Sequence, residues 1–332
     1  CVNVGVGFKV PLNPHDKERS CGGSSGGAAG FTAKAPFRHI ALAESTGGSI
    51  VCPASFCGVV GLCPTYGRVS RYGLMDYANS LDKIGVMATT MEDIALAMEI
   101  ISGYDPKDST SLDQPVPKYA ECLRQPVKGM RIGVLKYGFG KGIGKEVSVI
   151  VKNAIKKLEK DGCTAVAIDL PLAEKYALPC YYILAMAEAS TNLAKYCGMR
   201  YGAQERIEGN FNEYFSKMRG KYFGEESKRR IMLGTFARMA GFRDAFYLKA
   251  AKVRAKIIGE YQKAFEKADV LVSPTMPFVA PRFSEIKKLT PLQNFMADIL
   301  TVGPNLAGLP HLSVPVGRGK EGMPIGMMLV GN

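Results

Sequence analysis

Two glycine- and serine-rich segments lie close together early in the sequence, Cys21-Gly-Gly-Ser-Ser-Gly-Gly-Ala-Ala-Gly30 and Glu44-Ser-Thr-Gly-Gly-Ser49-Ile. Glycine lets backbone N–H groups approach a ligand closely and adopt positive φ. A serine that follows Thr-Gly-Gly can therefore face a nest of amides that stabilises an anion, which is the setting of nucleophilic catalysis. A flexible linker is the bland alternative, but linkers do not normally lie against apolar runs such as Ala41-Leu-Ala43 and Ile50-Val51. A hydroxyl nucleophile needs a base, and the usual base is histidine. Only His15, His39 and His311 are present, His15 among turn residues and His39 in a predicted strand. No Gly-x-Ser-x-Gly elbow exists, because Gly47-Gly-Ser-Ile-Val51 breaks its spacing. Serine chemistry here would instead call on a lysine held neutral by burial and like charge.

The elements that must position these serines are short strands followed by long helices. Apolar runs at 37–43 and 59–62, bounded by Pro or Gly, predict buried strands. A helix is predicted over 91–102, with Thr90 and Asp93 as its start signal and Gly103 as its stop. Residues 104–128 hold four prolines and no sustained periodicity, which predicts a surface connection. Beyond it come a strand at 130–135, a helix at 145–160 with Val149, Ala154, Ile155 and Leu158 inward, and a strand at 165–170. That order predicts a right-handed parallel crossover. Helices over 181–196, 225–239 and 243–267 precede strands at 270–273, 312–316 and 325–330. The expected fold is a single α/β domain over 1–332, a mixed and mostly parallel sheet with helices on both faces. Its Gly/Ser-rich catalytic part spans 1–125, and its helical, substrate-binding part with the remaining strands spans 126–332.

The 332 residues carry 43 Lys+Arg and 30 Asp+Glu, a net charge of +13. The basic residues fall mostly at helical spacing beside acids, so a solvated surface accounts for most of the excess. No stretch approaches the ~18 consecutive apolar residues that a membrane span needs, and no signal peptide opens the chain. Nine cysteines, an odd number among apolar neighbours, fit reduced thiols rather than a disulfide framework. The expected setting is the cytosol or an organelle matrix. Cys1 in first place and an unclosed strand at the end predict a chain cut at both ends.

The segments Gly22-Gly-Ser-Ser-Gly-Gly27, Gly47-Gly-Ser49 and Pro53-Ala-Ser-Phe-Cys-Gly-Val-Val-Gly-Leu62 together resemble the shared core of the amidase signature family. Within it, Pro64-Thr-Tyr-Gly-Arg-Val-Ser-Arg-Tyr-Gly-Leu74, Ser80-Leu-Asp-Lys-Ile-Gly85, Asp105-Pro-Lys-Asp-Ser-Thr110 and Asn305-Leu-Ala-Gly-Leu-Pro310 resemble the branch that supplies ammonia for tRNA-dependent amidation. The likeness runs from about Phe8 to the last residue. It implies a Ser-cisSer-Lys mechanism with Ser49 as nucleophile and Ser24 as the bridging cis-serine, Ser25 being the alternative. It implies an oxyanion hole from the amides of Thr46, Gly47, Gly48 and Ser49, and a glutamine clamp of Tyr181, Arg230 and Asp298. The family's lysine is expected upstream of Cys1; Lys9 and Lys34 do not match its motif. Expected partners are a second subunit that activates Glu-tRNA(Gln) or Asp-tRNA(Asn) with ATP and magnesium, and a small third subunit. Neither ATP nor metal is expected on this chain, and tRNA contact is expected mainly through the partner. A stand-alone amidase on another carboxamide and a non-catalytic scaffold remain the competing functions.

Several residues depart from the family pattern. Ser45 stands where an acid is usual, with Glu44 one place earlier; Val51 replaces an arginine, and Cys21 and Cys63 replace a proline and a lysine. Other motifs fall short of their templates. Gly138-Phe-Gly-Lys-Gly-Ile-Gly-Lys145 has Ile143 where a dinucleotide loop needs glycine and Glu146 where a Walker loop needs Ser or Thr. The spacing of Cys52, Cys57 and Cys63, without a nearby histidine, suits buried thiols better than a metal site.

Overall fold

Period-two apolar positions give each strand two faces to bury, and the chain buries both in one eight-stranded sheet. The computed structural model describes residues 7–332. The chain begins with α1 (Gly26–Lys34), β1 (Ile40–Ser45), α2 (Val51–Cys57), β2 (Val60–Cys63), β3 (Lys83–Ala88) and α3 (Met91–Ile101). After the short α4 (Tyr119–Cys122) come β4 (Arg131–Leu135), α5 (Lys145–Lys160), β5 (Thr164–Ile168) and α6 (Pro171–Asn192). Next are α7 (Phe211–Tyr222), α8 (Glu225–Arg238) and α9 (Lys249–Phe265). The last stretch holds β6 (Val270–Pro274), α10 (Phe283–Ile286), α11 (Pro291–Met296), α12 (Val302–Leu306), β7 (His311–Arg318) and β8 (Pro324–Val330).

The strand order is β1-β3-β2-β7-β8-β6-β4-β5. β4 pairs parallel with β5 across the α5 connection, and parallel with β6 on its other side. The sheet is mixed, but the expectation that it is mostly parallel is corrected. β1 with β3, β2 with β3, β2 with β7, β7 with β8 and β6 with β8 are all antiparallel. Antiparallel neighbours need no crossover helix. β7 and β8 close through a tight turn in which the Gly319 amide donates to the Met323 carbonyl at 2.8 Å.

Adjacent residues of one strand serve opposite layers. Leu271 and Met328 pack with α6 and α9, whereas Val272 and Met327 pack with α5. At the other end, Met87 packs with α1 and α2 and Val86 with α3. In α5 the buried residues are Val147, Val151 and Ile155, one turn apart. Val149 is exposed, correcting its predicted inward position. Two residues along a helix is about 200° of rotation, so Val149 cannot share a face with Val147 or Val151. α3 starts as its sequence predicts, with the Thr90 hydroxyl accepting from the Asp93 amide at 3.2 Å.

α6 and α8 lie so close that a Cβ built at Gly234 would overlap the Met186 backbone carbonyl. Gly234→Ala must therefore push α8 away from α6, with an expected loss of roughly 1–3 kcal/mol of stability. Urea unfolding measures it; an unchanged midpoint would show that the two helices are not in this contact.

Candidate active site

β1 ends at Ser45, and the chain turns through Thr46, Gly47 and Gly48 into the Ser49-Ile50 turn that leads α2. Every residue of α2 is buried, and Pro53 sits in its first turn, where a missing N–H costs little. The Gly48 carbonyl accepts from the Cys52 amide at 2.8 Å, so the loop is continuous with the helix. Thr46, Gly47 and Gly48 are buried and Ser49 is half-buried.

Three segments hold Thr46. Its hydroxyl lies 2.7 Å from Asp82 Oδ1 and 3.0 Å from Glu44 Oε1. Its carbonyl accepts from Asn305 Nδ2, which also donates to the Leu81 carbonyl at 3.1 Å. Asp82 Oδ2 in turn accepts the amides of Tyr77 at 2.7 Å and Ala78 at 2.8 Å. Burial raises the pKa of Asp82 despite these bonds. The Ser45 hydroxyl donates to the Gly47 carbonyl at 3.2 Å, closing the loop on itself.

The first Gly/Ser segment meets this loop at Ser25. The Gly23–Ser24 peptide is cis, and Ser24 is exposed. The Ser25 amide donates to the Ser49 carbonyl at 3.2 Å, and the Ser25 hydroxyl donates to the Glu44 carbonyl at 3.0 Å. Gly22 has φ +76°, and a Cβ there would stand 2.9 Å from Cys52 Sγ and Phe56, so both conformation and space require glycine.

Tyr181, on α6, presses its ring against the loop: a Cβ on Gly47 would lie 2.7 Å from the Tyr181 hydroxyl oxygen. Thr301 fills the same role at Gly48. Burial lifts the Tyr181 phenol well above its ordinary pKa; Tyr77 and Asp298 add to the rise and Arg230 opposes it. Those charges therefore surround one buried hydroxyl. Arg230, on α8, donates to Glu226 at 2.9 Å and to the Tyr77 hydroxyl at 3.1 Å. Burial works against its charge, but Tyr77 and Glu226 outweigh that and keep it firmly protonated. Asp298 is buried and accepts from the Tyr182 hydroxyl at 2.5 Å. Tyr182 stacks on Phe295 with ring centroids 4.2 Å apart.

Sequence reasoning missed Tyr77, Asp82, Tyr182, Glu226 and Asn305 as parts of this site. Asp82 and Asn305 lie inside the motifs that carry the family resemblance and Tyr182 beside a predicted residue, but only the β1/β3 pairing brings Asp82 to Thr46. The remaining candidates have other partners. His15 Nε2 bonds the Cys57 carbonyl at 2.9 Å, His39 bonds Thr32 at 3.0 Å, and His311 bonds the Leu309 carbonyl at 3.0 Å. The Gly144 amide is taken by the Pro277 carbonyl at 2.7 Å, which does not suit a phosphate loop. Lys9 and Lys34 are exposed. Cys52, Cys57 and Cys63 are buried free thiols, and among the described residues no cluster of His, Cys, Asp and Glu could hold a metal. A surface cavity of about 580 Å³, beside Tyr66, Arg71 and Lys107, contains none of the predicted site residues. No helix among the described residues is long and apolar enough to cross a membrane.

Known proteins resemble this chain over nearly its whole length. The family profile described as Amidase matches residues 3–332. The glutamyl-tRNA(Gln) amidotransferase A subunit from a Sulfurihydrogenibium species is 50% identical over 98% of this chain and 66% of its own. The protein of the same name from Microcystis aeruginosa is also 50% identical, over 98% of this chain and 67% of its own. The crystal structure of the Thermotoga maritima counterpart superposes with a TM-score of 0.80 at 39% identity, covering 98% of this chain and 65% of that one. The chain thus spans about two thirds of the length of these relatives. With a family match from residue 3 to the end and a shared fold, the chain belongs to the amidase signature family.

Proposed function

We propose that this chain is the glutamine-hydrolysing part of a tRNA-dependent amidotransferase, releasing ammonia for a partner subunit. The observation that carries the reading is the meeting of the 46–49 loop with Tyr181, and around Tyr181 the opposite charges of Arg230 and Asp298. A free amino acid carries a carboxylate and an ammonium, and these two side chains match them. Arg230 offers a planar fork for the α-carboxylate, and Asp298 a carboxylate for the α-ammonium.

Ser49 Oγ attacks the side-chain carbonyl carbon of glutamine. Its proton passes through Ser24 to the family's lysine, expected upstream of Cys1. Negative charge developing on the amide oxygen is received by the N–H groups of Thr46, Gly47, Gly48 and Ser49. The C–N bond then breaks, the nitrogen takes the proton and leaves as ammonia, and water releases glutamate from the acyl-enzyme. Ammonia serves a second subunit that activates Glu-tRNA(Gln) or Asp-tRNA(Asn) with ATP and magnesium, while a small third subunit braces the complex. tRNA is held mainly by the partner, and the complex works in the cytosol or an organelle matrix.

Three substitutions in the full-length protein, assembled with its partner subunits, test this. Ser49→Ala lowers glutamine turnover by on the order of 10⁴-fold or more, read as ammonia release; appreciable residual turnover would remove Ser49 from the mechanism. Arg230→Ala lowers kcat/KM for glutamine by roughly 10- to 100-fold while leaving a carboxamide without an α-carboxylate unaffected. No change in glutamine turnover would overturn the clamp and favour a stand-alone amidase instead. Gly47→Ala drives a methyl group into the Tyr181 ring and lowers kcat by roughly 10²-fold through a displaced oxyanion loop. An unchanged kcat would mean that the loop amides are not the anion site.

A further inference from the structure

One hydroxyl between two carboxyl groups sets a proton count. Thr46 Oγ1 has one hydrogen to give and two lone pairs to receive with. It stands within hydrogen-bond reach of both Asp82 Oδ1 (2.7 Å) and Glu44 Oε1 (3.0 Å). It donates to one of them, so the other contact needs a hydrogen from the carboxyl itself. Asp82 is the acceptor, because its second oxygen already takes the amides of Tyr77 and Ala78, which favour a charged carboxylate. The hydrogen therefore belongs on Glu44.

We propose that Glu44 is held protonated and donates its O–H to Thr46 Oγ1, making it a positioning residue that locks the oxyanion loop through Thr46. The consequence for catalysis rests on the function proposed above; the proton itself does not. Glu44 faces Asp82 from the connection before β3, Tyr181 from α6 and Cys63 from β2; Tyr77 and Arg71 act on Asp82, and Lys83 of β3 on Cys63. The two cations are engaged elsewhere. Arg71 bonds Thr110 at 2.8 Å and approaches Asp108 at 3.7 Å, and Lys83 Nζ donates to the Leu309 carbonyl at 3.0 Å. Desolvation, and then the charge of Asp82, raise Glu44 to about 8. The folded-state pKa is thus above its value in the unfolded chain. The stabilisation is complete below about pH 4.5 and is lost as pH rises toward and through about 8. Above that, ionised Glu44 repels Asp82 and places negative charge beneath a loop that must receive an oxyanion.

The test uses the full-length protein with its partner subunits and the variants Glu44→Gln and Glu44→Leu. Gln keeps a neutral donor toward Thr46, whereas Leu is neutral without one. Wild-type Tm is expected to fall between pH 5 and pH 9, and both variants to shrink that fall by roughly 4 °C or more. Wild-type kcat for glutamine is expected to drop about tenfold per pH unit above pH 8. Glu44→Gln removes that limb, and Glu44→Leu lowers kcat at every pH with KM little changed. A Glu44→Gln protein whose Tm and kcat follow pH as the wild type does would overturn the proposal. Wild-type and Gln proteins that differ in Tm profile, in a preparation with no glutamine turnover, would uphold the proton and overturn the proposed function.

Discussion

The geometry of the site depends on the bonds that converge on Thr46. Its hydroxyl is tied to Asp82 before β3 and to Glu44 on β1, and its carbonyl to Asn305 at the end of α12. A loop of small residues has little packing of its own to fix it, and an oxyanion hole works only if its amides are aimed before charge develops. Here three segments far apart in sequence fix the 46–49 loop, as its proposed role requires. Tyr181 and Thr301 then press on Gly47 and Gly48 from the helical side. Glycine is needed at both positions because the neighbouring side chains occupy the space a methyl group would take.

The same helical layer provides the charges. Burying Arg230 or Asp298 costs several kcal/mol unless each finds polar partners. Asp298 accepts from a neutral tyrosine, and Arg230 has a tyrosine hydroxyl beside Glu226. A tyrosine hydroxyl thus supplies part of the bonding that each buried charged group needs, and Glu226 adds an ion pair to Arg230. That arrangement requires α8 to lie close against α6, and Gly234 permits the approach.

Much of this was legible where local chemistry decides the outcome. The α5 boundaries match their predicted span, and α3 begins on the Thr90 signal, because caps and amphipathic spacing act within a few residues. The elements nearest Ser49 were not legible. α1, Gly-Gly-Ala-Ala-Gly-Phe-Thr-Ala-Lys, carries three glycines and reads as loop; packing against α2 and the sheet makes it helical. β3 contains Gly85 and opens on a charged residue, so its strand character emerges only between β1 and β2. The parallel bias was overestimated for a related reason, since one strand-helix-strand unit says nothing about how other strands pair. The two carboxyls sharing Thr46 are 38 residues apart, and no local pattern joins them.

Two of the residues at which the chain departs from the expected pattern, Ser45 and Cys63, join in space the bonds that brace Thr46. The Cys63 thiol donates to the Asn305 side-chain oxygen at 3.7 Å. That contact turns the Asn305 amide nitrogen toward Thr46 and Leu81. Lys83 lies on the adjacent strand β3, paired in register with Ser45. Its Nζ reaches the Leu309 carbonyl, within the same 305–310 segment that Cys63 holds. The Ser45 hydroxyl closes the loop on Gly47, while its neighbour Glu44 bonds Thr46. Buried polar groups cost free energy unless they are hydrogen-bonded, and Glu44, Ser45, Cys63 and Lys83 meet that demand by bonding the 46–49 loop or the 305–310 segment that braces it.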